Sequence, residues 1–262
     1  MKKNRILNGI MLVLALLIGV SVVQIWRIVR DYRQGEKTYA ALAQYAQIPD
    51  TSAGAENAAP PPHTAAKATA ESAEEDGNWP QVDFEALRNI NPDVIGWIYI
   101  EGTDINYPIV QGKENNDYLR RMFDGTPNHA GSIFLDSRCS AALTDAHSII
   151  YGHHMKNTTM FSELEQYKQQ AFYDTHTWGW LITPEAHYKL QFFAGYVAET
   201  DADAWDLDLA GEKRQTWIEH AIARSCFQSG VAPDATARIV TLSTCSYDFS
   251  DARFVLHGIL VE

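Results

Sequence analysis

From Ile6 to Trp26 the chain carries no charged residue: ILNGIMLVLALLIGVSVVQIW follows Lys2, Lys3 and Arg5. At ~1.5 Å per residue a helix of this length crosses a ~30 Å hydrocarbon core, where a helix satisfies its own backbone hydrogen bonds. The run is read as a transmembrane helix. A cleaved signal peptide is the competing reading, but its apolar core is typically ~7–15 residues long, and no small-x-small cleavage site follows closely here. The residues favour an inside N-terminus, although Arg27, Arg30 and Arg33 after the span weaken the charge asymmetry and Asp31 and Glu36 offset them only in part.

The span fixes a division of the chain. Residues 1–30 form a cytoplasmic tip and anchor. Residues 31–48 have helix-forming composition with Tyr39, Leu42 and Tyr45 at spacing three, which predicts that the helix runs on as a stalk. Residues 49–78 are rich in Ala, Pro, Glu, Ser and Thr and hold no aromatic or large aliphatic side chain, so they cannot bury enough surface to fold. They are expected to be a disordered tether, locally extended at Pro60, Pro61 and Pro62, that holds a folded domain at 79–262 away from the bilayer.

In that domain Asp83, Phe84, Leu87 and Ile90 predict a short helix stopped by Asn91 and Pro92. Strand-length apolar runs follow at Val94–Ile100, Tyr107–Val110, Ser132–Leu135, His147–Tyr151, Trp178–Ile182, His187–Val197, Ile239–Leu242 and Phe254–Val261. Ser162 with Glu165 reads as a capping box before a helical face of Leu164, Tyr167, Ala171 and Phe172, and Trp217, Ile218, Ala221 and Ile222 recur at helical spacing in 211–227. Short strands with few helices and no regular strand–helix alternation predict a mostly β fold, a closed or nearly closed barrel with helical insertions. A net charge of -12, with no dense basic cluster beyond the N-terminus, argues against a nucleic-acid partner. Three cysteines without a C-x-x-C pair suggest neither a disulfide framework nor a zinc site; Cys139 and Cys226 are read as small buried residues.

The chemistry points to Cys245 and Arg253, which bound the polar loop Ser246–Ala252 between the last two strands. A nucleophilic thiol needs a proton acceptor or a stabilising cation, because an unperturbed Cys is largely protonated at neutral pH. His153 follows a strand-like run and Gly152, a strand-end position that faces a cleft; His154 competes with it. Arg253 offers a planar donor fork of permanent charge, suited to an oxyanion. His147 and His257 lie within strand-like runs and are read as structural. Taken singly, each of these residue types is more often inert: a small buried thiol, a core imidazole, a solvated cation.

Together TLSTC at 241–245, Arg253 shortly after it and YGHHM at 151–155 resemble the signature of sortases, specifically class B. NPDVIGWIYIEGTDINYPIVQG at 91–112 and AGSIFLD at 130–136 are similar to that class as well, and the likeness runs from Asp83 onward. It implies a membrane-anchored cysteine transpeptidase of a Gram-positive bacterium, with an eight-stranded sortase barrel facing outward, which resolves the orientation. By the same resemblance Cys245 is the nucleophile, His153 the general acid/base, and Arg253 the group that positions substrate and stabilises the oxyanion, while Ser243 and Thr244 line the groove. No metal or cofactor is implied. The partners implied are surface proteins with a C-terminal sorting signal and an amine from the peptidoglycan precursor or cross-bridge. A secreted cysteine hydrolase with the same Cys and His, and a non-catalytic surface module, are the alternatives.

Overall fold

The computed structural model describes residues 2–49 and 79–262, with side chains from Gly9 onward. Apart from Pro49, the expected linker lies outside the described residues. One helix, α1, runs unbroken over Lys2–Leu42. Its large apolar side chains from Ile10 to Val29 are exposed, and the segment is long and apolar enough to cross a membrane.

Past the span α1 stays helical to Leu42, as expected for the stalk, and packs against the barrel. Tyr39 and Leu42 are buried among barrel residues, and so is Ala46 just beyond. Strand β1 (Ala46–Gln47) pairs antiparallel with β2 (Gln81–Val82), Gln47 opposite Gln81. The two ends of the intervening segment therefore lie side by side. Spacing-three apolar residues after the span were the visible sign of a buried face; the barrel is what covers it. The membrane-proximal helix is thus part of the folded unit, and its distance from the barrel is not set by the linker.

Helix α2 (Phe84–Ile90) begins where the Asp83 carboxylate accepts from Ala86 N at 2.9 Å, buries Phe84 and Leu87, and ends at Asn91 before Pro92. Eight strands then close a barrel: β3 (Val94–Tyr99), β4 (Asn106–Val110), β5 (Ile133–Leu135), β6 (His147–Tyr151), β7 (Trp178–Ile182), β8 (His187–Ala198), β9 (Ile239–Cys245) and β10 (Arg253–Val261). Around the barrel the order is β10, β8, β7, β3, β4, β5, β6, β9, and β9 returns to β10. Only β4 with β5 and β6 with β9 run parallel. Trp97, Ile109, Ile133, Leu181, Phe192, Leu242 and Phe254 fill the interior, each fully buried and worth roughly 1.5–3 kcal/mol in transfer. Helix α4 (Gly211–Arg224) lays Trp217, Ile218 and Ala221 against the outer face of β8, as its periodicity predicts.

Two expectations fail locally. Ser162 caps nothing: its hydroxyl takes the Met155 amide at 2.7 Å and donates within the same turn, and the following Ser162–Lys168 segment is a 3₁₀ helix before α3 (Gln170–Thr175). Cys139 is buried as expected, but Cys226 is exposed, its amide donating to Gly195 O at 2.7 Å; all three cysteines are free.

His147 and His257 are fully buried and joined through Thr241, whose Oγ1 lies 2.6 Å from His147 Nε2 and 2.7 Å from His257 Nδ1. Burial lowers His147 to about 4 and His257 well below its ordinary value. Unfolded, both rings titrate near ~6.5, so below that pH the unfolded chain binds protons that the barrel refuses, and stability falls as pH falls toward 4. The carboxylates held low, such as Asp136 at about 2, lose their contribution only below ~4. We predict that the melting temperature drops between pH 7.5 and pH 5, with His147 alone accounting for about 2 kcal/mol. The drop shrinks in His147→Gln; an equal drop in that variant contradicts the assignment.

Candidate active site

Strand register assembles the site. Parallel pairing sets Tyr151 of β6 opposite Ser243 of β9, and Gly152 N donates to Ser243 O at 3.0 Å. His153 lies two residues beyond that pair, as Cys245 does on β9, and the two line the same cavity. On the other side β10 pairs Arg253 directly with Cys245, so the two side chains leave one face of the sheet. Cys245, His153 and Arg253 line one cavity of about 430 Å³, and Ser243 and Thr244 line it too. All five residues expected from sequence are therefore brought together.

Gly152 makes the strand end possible. A methyl group there would lie 2.5 Å from Ile133 Cδ1 and 2.6 Å from the Phe161 ring, so only hydrogen fits beneath His153. The His153 ring is half-buried, with Nε2 2.6 Å from Leu119 O. A carbonyl only accepts, so Nε2 carries the proton and Nδ1 keeps the basic lone pair. Burial lowers the His153 pKa; the Leu119 bond opposes this, and Arg120, His129 and Arg253 add to the lowering. His154 does not line the cavity. Its Nδ1 lies 3.0 Å from Cys245 O and its ring packs on Tyr247, so it meets the backbone of the cysteine and not the thiol side.

Arg253 donates from Nη1 to the carbonyls of Asp251 and Ala252, at 3.2 and 3.0 Å, which holds the guanidinium over the mouth of its own loop. That loop is pinned from below: Lys168 reaches Glu165 at 3.0 Å and Asp248, and Ser246 bonds both carboxylates. Thr244 Oγ1 is buried without a hydrogen-bond partner, whereas Ser243 Oγ takes Trp205 Nε1 at 3.4 Å.

The cavity has further walls that sequence reasoning did not single out: Asn115, Asn116, Leu119, Thr200 and Trp205. The first three belong to the long β4–β5 connection. Asp136 organises that wall, accepting from Asn115 Nδ2 at 3.1 Å, Tyr151 OH at 3.0 Å and the Arg138 guanidinium. Burial alone would raise this carboxyl, but those donors outweigh it and leave it at about 2. The run of Asn, Asp and Tyr at 115–118 was the available signal; its place at the cavity depends on long-range pairing.

Comparison with known proteins agrees with this geometry. The Sortase domain family matches residues 98–261. Sortase B of Staphylococcus aureus is 37% identical over 169 residues, 64% of this chain and 69% of the relative, and sortase B of Listeria monocytogenes is 33% identical over 182 residues, 68% and 74%. The crystal structure of Staphylococcus aureus sortase B superposes with a TM-score of 0.65 at 35% identity, covering 68% of this chain and 86% of that one. Sortase B from Bacillus anthracis, solved with a bound ligand, covers 90% of this chain and all of its own, with a TM-score of 0.70 at 28% identity. With the eight-stranded barrel and a cysteine, histidine and arginine at its mouth, the chain belongs to the sortase family and is a class B sortase-type transpeptidase.

Proposed function

We propose that the protein is anchored in the cell membrane by α1, with its barrel outside the cell, and that it cleaves a C-terminal sorting motif after Thr and passes the acyl group to a cell-wall amine. The observation that carries this reading is the convergence of Cys245, His153 and Arg253 on one cavity through the registers of β6, β9 and β10. Cys245 gives its thiol proton to His153 and its Sγ attacks the Thr carbonyl, forming the C–S bond. Arg253 stabilises the oxyanion, and the protonated His153 gives its proton to the departing amine as the C–N bond breaks. A thioester remains on Cys245. The incoming amine of the peptidoglycan precursor or cross-bridge then attacks it, His153 accepts a proton from that amine, and Cys245 is released as the tetrahedral intermediate collapses. Ser243 and Thr244 bind substrate in the groove. Surface proteins carrying the sorting signal are the donors.

A secreted cysteine hydrolase would send the same thioester to water. Cleavage of a sorting-motif peptide, selected by library screening, distinguishes the two: transpeptidation gives an amine-linked product that grows with added aminoglycine, and cleavage indifferent to the amine contradicts the proposal.

In that assay Cys245→Ala and His153→Ala abolish turnover, while His154→Ala keeps most of it because its partner is a backbone carbonyl; equal loss at both histidines contradicts the choice of His153. Arg253→Ala lowers kcat about 10²-fold or more and Arg253→Lys restores only part, since an ammonium lacks the planar fork. Full recovery by Lys would mean that charge alone is needed. Orientation is read with a membrane-impermeant maleimide on intact cells: the exposed Cys226 is labelled if the barrel is outside, and protected until lysis if it is not.

A further inference from the structure

Two segments flank His153, and α1 holds both. On one side is the β4–β5 connection. Its Leu119 carbonyl takes the His153 Nε2 proton, and Gly131, at φ +58°, packs against that carbonyl and the imidazole at once. A methyl group on Gly131 would lie 2.6 Å from Leu119 O, 2.8 Å from Tyr118 O and 3.1 Å from His153 Cδ2. Any shift of Gly131 is therefore felt by the ring and by the atom that orients it. The Tyr39 hydroxyl, buried on α1, donates to Gly131 O and lies 3.3 Å from Ser132 Oγ, which itself donates to Arg121 O at 2.9 Å. Asn128 Nδ2 ties the same connection to the α1 backbone at Asp31 O, 2.9 Å away.

On the other side is the turn after His154, which holds Thr158 and Met160 at φ +64° and +61°, a conformation that non-glycine residues keep only when neighbours enforce it. The Tyr39 ring meets Tyr107 edge-on at 5.3 Å, and Tyr107 OH accepts the Met160 amide at 3.0 Å. Glu36 on α1 accepts from Asn157 Nδ2 at 2.8 Å. Between these ties α1 and the barrel enclose a cavity of about 300 Å³, lined by Tyr32, Gly35, Tyr39, Tyr107, Met155 and Asn157. The seating of the helix thus combines buried apolar contacts at Tyr39 and Leu42 with these directed ties.

We infer that Tyr39 is a positioning residue: through Gly131 and Tyr107 it fixes both walls around His153, so that the membrane-anchor helix is a working part of the active site. The inference rests on the reading of Cys245 and His153 as the catalytic pair. Tyr39 lies 114 residues before His153 in the chain and does not line the cavity; it acts by holding Leu119 O where Nε2 needs it, which keeps the Nδ1 lone pair turned to the reacting centre. Displacing α1 from the barrel would loosen the catalytic imidazole without altering any residue in the cavity.

The test uses the full chain in detergent micelles and iodoacetamide as the probe, with alkylation of Cys245 followed against pH by mass spectrometry and Cys226 in the same digest as internal reference. Tyr39→Phe keeps the ring and its contact with Tyr107 and removes only the donor. It is expected to change the Cys245 rate at pH 7 about threefold and to move its pH midpoint by about half a unit, with Cys226 unaffected. Asn157→Ala, at the surface, cuts the tie on the other side, is expected to give a smaller shift of the same kind, and decides the matter if Tyr39→Phe fails to fold. Wild-type profiles in the folded variants would overturn the inference, and so would a lowered melting temperature with an unchanged profile. His153→Ala separates this from failure of the functional reading: if it too leaves the Cys245 profile unchanged, the catalytic pair is wrong; if it alone shifts the profile, only the role of Tyr39 is.

Discussion

The parallel pairing of β6 with β9 is the constraint on which the rest of the site depends. It is one of only two parallel contacts in the barrel, and it brings together segments nearly a hundred residues apart in sequence, with His147 opposite Ile239 and Tyr151 opposite Ser243. Because side chains alternate faces along a strand, a slip of one residue would turn the side chains of the paired run to the opposite face of the barrel wall. Both strands are buried along almost their whole length, and His147 and Thr241 hydrogen-bond across the pair, so such a slip would bury wrong groups at every step. The antiparallel β9–β10 hairpin then adds Arg253 opposite Cys245 at little further cost.

Around that register the molecule places acceptors and donors that are not on the strands. The β4–β5 connection supplies Leu119 O to the histidine and Asn115 to the cavity wall, and Asp136 holds the wall through three donors. The Lys168, Glu165, Ser246 and Asp248 network does the same for the loop that carries Arg253. Helix α1 completes the ring. A segment that reads as anchor and stalk therefore reaches, by hydrogen bonds from Tyr39 and the backbone at Asp31, to the β4–β5 connection that carries Leu119 and Gly131.

Much of this is legible in the sequence. The barrel strands announce themselves as short β-branched and aromatic runs, Asp83 as a cap, and Trp217, Ile218 and Ala221 as the face of α4. Taken singly, Cys245, His153 and Arg253 read as inert; it is the resemblance of TLSTC, YGHHM and the following Arg to the sortase signature that groups them, and the cavity they share is where the structure brings them together. Leu119 and Gly131 are not legible, since what matters there is a carbonyl oxygen and a left-handed backbone, which no side-chain pattern encodes. The Ser162 capping box fails because Met155 N takes the hydroxyl, and the spacing of Tyr39, Leu42 and Tyr45 marks a helical face without saying what covers it.

The central claim is that Cys245 is the acyl carrier of a transfer reaction. Intact-mass and peptide-level spectrometry of the full chain, quenched in acid during incubation with a threonine-containing sorting peptide in the absence of amine, tests it directly. The account predicts a mass increase on Cys245 equal to the acyl portion ending at Thr, discharged when aminoglycine is added. No adduct on a folded, turning-over enzyme, or an adduct on Cys226 instead, would contradict it.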